Sequence, residues 1–322
     1  MGGEEQMIAG AGLSLEQLIK GNALGLGFDL AGIARLGPAE SAPLFEEWLA
    51  RGYAGEMGYL ERGAEKRRDT RAPFTPAASA IVVALDYGGR EPDGPVARYA
   101  RGDDYHEIMT ARLDELHRMI ETEIGREVSG KSYVDTGPIL ERDLARKAGL
   151  GWFGKNSNLL NPRIGSFFFI GTLVIDLELE PDSPFEHERC GSCRRCIDAC
   201  PTGAIVDDRI VDATICISYL TIEKRGEFSD TMAPLIGDHI YGCDICQDVC
   251  PWNVSFAREL KEPAFAPRPA LAGKNARALA EDLLAMGDEQ FRADFKSSPM
   301  KRAKLAGLKR NAGAVLRNIG ER

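Results

Sequence analysis

Two cysteine runs, each closed by Cys-Pro, constrain this chain more than any other feature. The first, over 190–201, reads C-x2-C-x2-C-x3-C-P through Cys190, Cys193, Cys196 and Cys200. The second runs through Cys243, Cys246 and Cys250 to Pro251, with Cys216 upstream as its missing member. These are all eight cysteines of the chain, and eight thiolates are what two [4Fe–4S] clusters require, one soft sulfur for each iron. Cysteines three residues apart aim their sulfurs at one cuboidal cluster, whereas the cysteine before proline is carried onto the next segment and ligates the other. The spacing therefore gives Cys190, Cys193, Cys196 and Cys250 to one cluster and Cys200, Cys216, Cys243 and Cys246 to the second. Pro201 and Pro251 fix φ and end the preceding turn, which favours that crossing. Such a chain carries electrons one at a time.

Three other uses of cysteine explain less. A disulfide framework suits small secreted chains, and no secretory leader is read at MGGEEQMIAGAG. Structural zinc uses paired C-x2-C knuckles, which do not generate two C-P runs. A redox C-x-x-C motif accounts for a single pair.

With 322 residues, 44% hydrophobic, the chain can bury a large core shared among two or three units. Its longest apolar run, 167–175, is too short for a bilayer and is interrupted by Gly171 and Thr172. Oxygen-sensitive clusters and absent targeting point to a cytoplasmic protein with no membrane partner. A net charge of −9 weighs against nucleic acid as a partner, yet 296–322 holds eight Lys/Arg against one acid, Glu321. Lys66, Arg67 and Arg68, with Arg71, form a second basic knot. From charge alone, these read as solvated faces balancing an acidic body or as phosphate contacts.

Periodicity predicts helices over 14–23 (Ser14 and Gln17 as a capping box), 38–50 (Leu44, Phe45, Trp48 and Leu49 inward) and 105–124. A further helix is expected over 138–148, and strands over 28–33, 80–85, 132–135 and 166–176. Alternating strands and helices over the first 180 residues suggest an α/β domain. Pro181 and Pro184 mark its end, and helices resume from about residue 271. Residues 125–132 match G-x4-G-K-[ST], but the string follows a helix and precedes a strand, the reverse of a phosphate-binding loop. Gly25-Leu26-Gly27 opens a Rossmann-like string that lacks its third glycine.

A two-cluster ferredoxin needs little beyond the cysteine region, so the remaining residues imply a second redox centre. Three strings hint at its place. Residues 101–106 pack Arg101, Asp103, Asp104, Tyr105 and His106 into one turn. Asp135 ends a strand, where open α/β sheets build sites, although it could instead cap the following helix. The Gly/aromatic loop 149–157 allows close backbone approach to a flat ligand, or serves as a tight connection. His106 at a helix start can be purely structural.

Taken in order, Y-A-R-G-D-D-Y-H (99–106), V-D-T-G-P (134–138), G-K-N (154–156), the first cysteine run, C-I-S-Y-L-T (216–221) and Y-G-C-D-I-C (241–246) resemble the epoxyqueuosine reductase family along nearly the whole chain. The resemblance implies an α/β (α+β) nitroreductase-like cobalamin-binding catalytic domain (1–180), of the type shared with reductive dehalogenases. A ferredoxin-like two-[4Fe–4S] domain (181–258) and a basic helical segment for tRNA contact (259–322) would follow. It implies reduction of epoxyqueuosine at the tRNA wobble position to queuosine, the last step of queuosine biosynthesis. Cobalamin would be recharged through the clusters by a low-potential donor such as ferredoxin or flavodoxin, in a monomer. Asp135 is similar to the family's proton donor and would need a pKa raised by burial; Tyr105 and His106 are its helpers. Corrin contacts carried over are Arg67, Asp135, Leu159, Ser218, Asp244 and Ile245, and the cluster containing Cys216 should lie beside the ring. Lys301, Arg302, Lys304, Lys309, Arg310 and Arg317 form the expected phosphate track. Many relatives extend further into helical repeats, so a shorter tRNA footprint is expected. A reductive dehalogenase-like enzyme and a non-catalytic electron carrier are the two other classes to weigh.

Overall fold

The structure, a computed structural model, describes residues 13–320. The reading of the first twelve residues, and Glu321 and Arg322 of the basic tail, lie outside them. Four strands form the main sheet: β1 (Leu30–Arg35), β2 (Ser79–Asp86), β3 (Gly130–Val134) and β4 (Phe168–Ile175), in the order β1-β2-β4-β3. Every pairing is antiparallel. The domain is the mixed α/β (α+β) one expected, and its antiparallel strand directions put it on the α+β side. In β2 all eight residues are buried. Ile81, Val83 and Leu85 face one core with Met109, Leu113 and Leu116; Ala80, Val82 and Ala84 face a second with Leu144, Ala145 and Ala148. Helices cover both faces, so an antiparallel strand acquires the continuous apolar sequence normally read as parallel.

Helix ends follow local chemistry. Leu15–Gly25 begins at Ser14, whose Oγ accepts the Gln17 N–H while Gln17 Oε1 accepts that of Ser14, the expected capping box. Tyr105–Ile124 runs between the bounds read from sequence, capped by Asp104 and closed by Gly125 at φ 72°. Gly125 is therefore a helix stop with a strand five residues on, and 125–132 is no phosphate loop.

Boundaries differ most at the second helix and around Asp135. The helix expected over 38–50 begins at Ala42, because Pro38 pairs instead with Asp69 in an isolated bridge; Leu44 ends up exposed on it. The strand expected at 132–135 stops at Val134, leaving Asp135 beyond the ladder. The next helix starts at Glu141, not 138, and its N-cap is Leu140, so Asp135 does not cap it.

Beyond the sheet, Arg195–Asp198 and Ile245–Asp248 are single turns that carry cysteines of the two runs. A further core draws on both sides of residue 258: Tyr219, Leu220, Ile236 and Tyr241 pack with Leu279, Leu283, Leu308 and Val315 from the helices Ala276–Ala285 and Lys304–Gly320.

Candidate active site beside two cysteine tetrads

Cys190, Cys193, Cys196 and Cys250 line one cavity of about 350 Å³, and Cys200, Cys216, Cys243 and Cys246 line another of about 450 Å³. Among the described residues no three His, Cys, Asp or Glu side chains converge as a single metal ion requires. Each tetrad lines a cavity of its own. Asn156 lines both cavities, and its amide donates to the Cys246 carbonyl at 3.2 Å. Burial pushes the Cys243 thiol up to about 12, so this sulfur stays protonated at neutral pH until iron displaces the proton.

The larger cavity also holds the acid group. Asp135 sits at φ 57° immediately after β3, a conformation that costs a non-glycine residue of order 1 kcal/mol or more. Its N–H donates to Glu141 Oε1 at 2.7 Å, which holds the turn so that its carboxylate faces the cavity. Tyr105 Oη donates to Asp135 Oδ2 at 2.9 Å. His106 Nε2 lies 3.6 Å from the same oxygen while its Nδ1 meets Asp104 Oδ1 at 2.6 Å. Asp104 therefore does two jobs, capping the helix and orienting the imidazole.

The electrostatics correct one expectation. Burial alone raises the Asp135 pKa, but the facing His106 imidazole and the hydrogen bond from Tyr105 outweigh it, and the net shift is downward. Its side chain is 65% accessible because it opens onto the cavity, which reinforces the ionised form. The protons lie on the neighbours. Burial, followed by the Asp135 charge, pushes Glu141 up to about 8. Burial lowers His106, but Asp104 and Asp135 overcome this and push it up to about 9.

The other residues expected at the site are spread around it. Leu159, Ser218, Asp244 and Ile245 line the larger cavity. Asp244 is also spent structurally, in a buried ion pair with Arg98 at 2.9 Å. Arg67 lies outside that lining; its Nη2 donates to the Gly137 carbonyl at 3.4 Å, and its buried Nη1 has no partner. Of the residues in the 101–106 turn, Arg101 bonds the Val96 and Pro92 carbonyls and Asp103 pairs with Arg268. Only Tyr105 and His106 reach Asp135. Sequence reasoning missed Glu141 and Arg142, which line the cavity; at the first turn of a helix they read as an ordinary end charge and a solvated cation.

The basic tail divides. Arg310 turns inward to the carbonyls of Leu220, Lys224 and Gly226 and lies over the Phe228 ring. Arg302 forms a two-bond pair with Glu223. Lys301, Lys304 and Arg317 are exposed and Lys309 half-buried. Arg310 is thus a structural residue, and Arg302 is partly neutralised.

Residues 67–136 match the family described as epoxyqueuosine reductase QueG, DUF1730, and 189–253 match a 4Fe-4S double cluster binding domain. The epoxyqueuosine reductase of Cellulophaga algicola is 44% identical over 299 residues, covering 91% of this chain and 95% of that protein. That of Escherichia coli K12 is 41% identical over 318 residues, covering 94% of this chain and 81% of the relative. The chain belongs to the epoxyqueuosine reductase family. Among solved structures, a selenomethionine-labelled epoxyqueuosine reductase superposes with a TM-score of 0.84 at 30% identity, over 95% of this chain and 82% of its own. An epoxyqueuosine reductase with an epoxyqueuosine-modified tRNA-Tyr stem loop superposes with a TM-score of 0.83, at the same identity and coverage. The family match to the double-cluster domain makes the chain's two cofactor sites [4Fe–4S] sites.

For cobalamin, which membership of this family implies, the residues present fit a large flat ring with a polar fringe. Leu159, Phe168, Phe169 and Ile170 form an apolar wall to the cavity. Near Gly137, the unpartnered Arg67 Nη1 is an unspent buried donor, which native proteins rarely leave without an acceptor.

Proposed function

We propose that this protein reduces epoxyqueuosine to queuosine at the wobble position of tRNA. One observation carries the reading: Asp135, with Tyr105 and His106 upon it, opens onto the same cavity as the Cys200, Cys216, Cys243 and Cys246 tetrad. An electron source and a hydrogen-bonded acid meet where a reducible group can enter. A pure electron carrier has no use for that acid.

The reaction removes the epoxide oxygen, forms a carbon–carbon double bond and consumes two electrons and two protons. Cobalamin, when bound, supplies a low-valent cobalt centre able to deliver electrons to carbon; Arg67, Leu159, Ser218 and the backbone at Asp244 and Ile245 would hold it. The chain's own residues handle the protons. Tyr105 and His106 fix the orientation of the Asp135 carboxylate. His106, cationic at neutral pH, restores a proton to it, and Asp135 passes that proton to the departing oxygen. The apolar wall keeps bulk water from the reducing centre.

Electrons enter at the other tetrad. Its cavity is rimmed by Arg189, Trp252 and Phe256, with Val254 exposed beside it, a surface suited to brief docking of a low-potential donor such as ferredoxin or flavodoxin. Lys301, Lys304, Lys309 and Arg317 supply the phosphate contacts for tRNA. No helix among the described residues is long and apolar enough to cross a membrane, and we place the reaction in the cytoplasm with its tRNA, carried out by a monomer. Anaerobic protein supplied with cobalamin, reduced donor and epoxyqueuosine-containing tRNA should yield queuosine, read by mass spectrometry of the digested tRNA. Bound cobalamin without queuosine would contradict the proposal.

A further inference from the structure

Conversion of an epoxide to an alkene breaks both carbon–oxygen bonds of the ring and releases the oxygen as water. Two electrons arrive from the reduced donor through the clusters, and two protons must arrive with them. Asp135 is a single carboxylate, ionised at rest, so it can present one proton at a time and must be reloaded. His106 faces Asp135 Oδ2 at 3.6 Å and accounts for one proton. The second has no assigned source.

Glu141 is placed to be that source. It lines the same cavity as Asp135. Its Oε1 already accepts the Asp135 N–H at 2.7 Å, which leaves the other carboxyl oxygen to carry a proton. Two carboxylates on one turn and lining one cavity oppose each other's ionisation. The groups facing Glu141 are Asp135, which favours its neutral form, and Arg142, His106 and Arg67, which oppose it. Arg142, the nearest of these cations in the chain, directs a guanidinium N–H to the Ser157 carbonyl at 2.7 Å. The balance favours the protonated acid, in accord with a pKa pushed up to about 8 by burial and then by Asp135.

We propose that Glu141 is a second acid of this site, storing one of the two protons of the reduction and reloading Asp135 across the cavity they share. The proposal rests on the functional reading above. The accounting closes: His106 and Glu141 each give up one proton, Asp135 delivers them in turn, the oxygen leaves as water, and both stores refill from solvent between turnovers. Glu141 has a second role, since its hydrogen bond also holds Asp135 in its left-handed turn, and the two roles can be separated. Glu141→Gln keeps an oxygen acceptor for the Asp135 N–H but carries no titrating proton, whereas Glu141→Ala removes both.

The first experiment is an infrared pH titration of the protein with its clusters but without cobalamin or tRNA. In the Asp86→Asn background, which removes the other carboxyl raised to about 7, the protein should show a carboxylic-acid carbonyl band that disappears as pH rises through about 8, and this band should be missing once Glu141→Gln is added. The second follows kcat against pH with epoxyqueuosine-containing tRNA. Wild type should lose activity above the same pH. Glu141→Gln should lose about 10²-fold in kcat at neutral pH with KM unchanged, and Glu141→Ala at least as much. The band persisting in Glu141→Gln, or a Glu141→Gln enzyme with wild-type kcat and pH profile, would overturn the proposal and leave Glu141 as a hydrogen-bond acceptor only. Absence of queuosine from wild type would instead count against the functional reading, and the infrared titration decides the protonation of Glu141 without any substrate.

Discussion

Arg98 and Asp244 form a buried ion pair in which the Asp244 carboxylate accepts both the Arg98 backbone N–H and a guanidinium N–H, each at 2.9 Å. Arg98 also reaches Asp248 at 2.8 Å and lies over the Phe167 ring. Asp244 stands between Cys243 and Cys246, and Tyr99, next to Arg98, lines the larger cavity. One guanidinium therefore joins the cysteine loop to the wall of the acid site. Breaking a buried pair by removing one partner costs about 3–5 kcal/mol. Arg98→Ala should lower the melting temperature and release iron from the Cys216-containing cluster first, seen as selective loss of one electron paramagnetic resonance signal on stepwise reduction. Equal loss of both signals would contradict this coupling.

The tetrads predict which iron each cysteine holds. Cys193→Ser should disable the cluster of the smaller cavity, and Cys216→Ser that of the larger, each variant retaining about four irons of eight. Electrons from an external donor should then fail to reach the acid site in both variants. Iron analysis with spectroscopy of the remaining cluster checks the assignment, and identical surviving signals in the two variants would refute it.

The basic tail separates charge that faces solvent from charge that is spent. Replacing Lys301, Lys304 and Arg317 with alanine should weaken tRNA binding and reduce the salt dependence of log K by about 0.7–0.9 for each phosphate that is no longer neutralised, with stability unchanged. Arg310→Ala should do the opposite. It strands the carbonyls of Leu220, Lys224 and Gly226 and should cost about 1–3 kcal/mol of stability. Filter binding across a salt series, paired with thermal melts, distinguishes the two.

Asp86 supplies a pH dependence of stability. It is buried at the end of β2 with Oδ2 unpartnered, and the nearby Arg258 is spent on Asp29. Burial raises its carboxyl to about 7. A raised carboxyl pKa means the folded state holds its proton more tightly than the unfolded chain. The resulting stability is full below the ordinary value of 3.8 and is lost as pH rises through about 7. Asp86→Asn should therefore melt higher than wild type above pH 7, with the advantage shrinking as pH falls. An advantage independent of pH would place the cause elsewhere.

What could be read in the sequence was local. The Tyr105–Ile124 helix announces itself because Asp104 caps it and Gly125 stops it, and the cysteine tetrads follow from ligand spacing within two short runs. Properties that depend on distant segments were hidden. The antiparallel sheet escaped because β2 is covered on both faces and so lacks the alternation of a half-exposed strand. The lowered pKa of Asp135 depends on His106 and a hydrogen bond from Tyr105, some thirty positions earlier, and burial alone predicts the wrong sign. Arg310 reads as a solvated cation until the loop around Lys224 is placed beneath it, and Glu141 reads as a helix-end charge until the turn at Asp135 bends back to meet it.

The central claim is that Asp135 works as the acid of a reduction fed by the adjacent cluster. Its most direct test compares wild type and Asp135→Ala, both with cobalamin bound and clusters reduced, in a single turnover of epoxyqueuosine-containing tRNA. The account predicts queuosine from wild type and a rate at least about 10²-fold lower from the variant, with cobalamin affinity and cluster signals preserved. Queuosine formed by Asp135→Ala at the wild-type rate would contradict it.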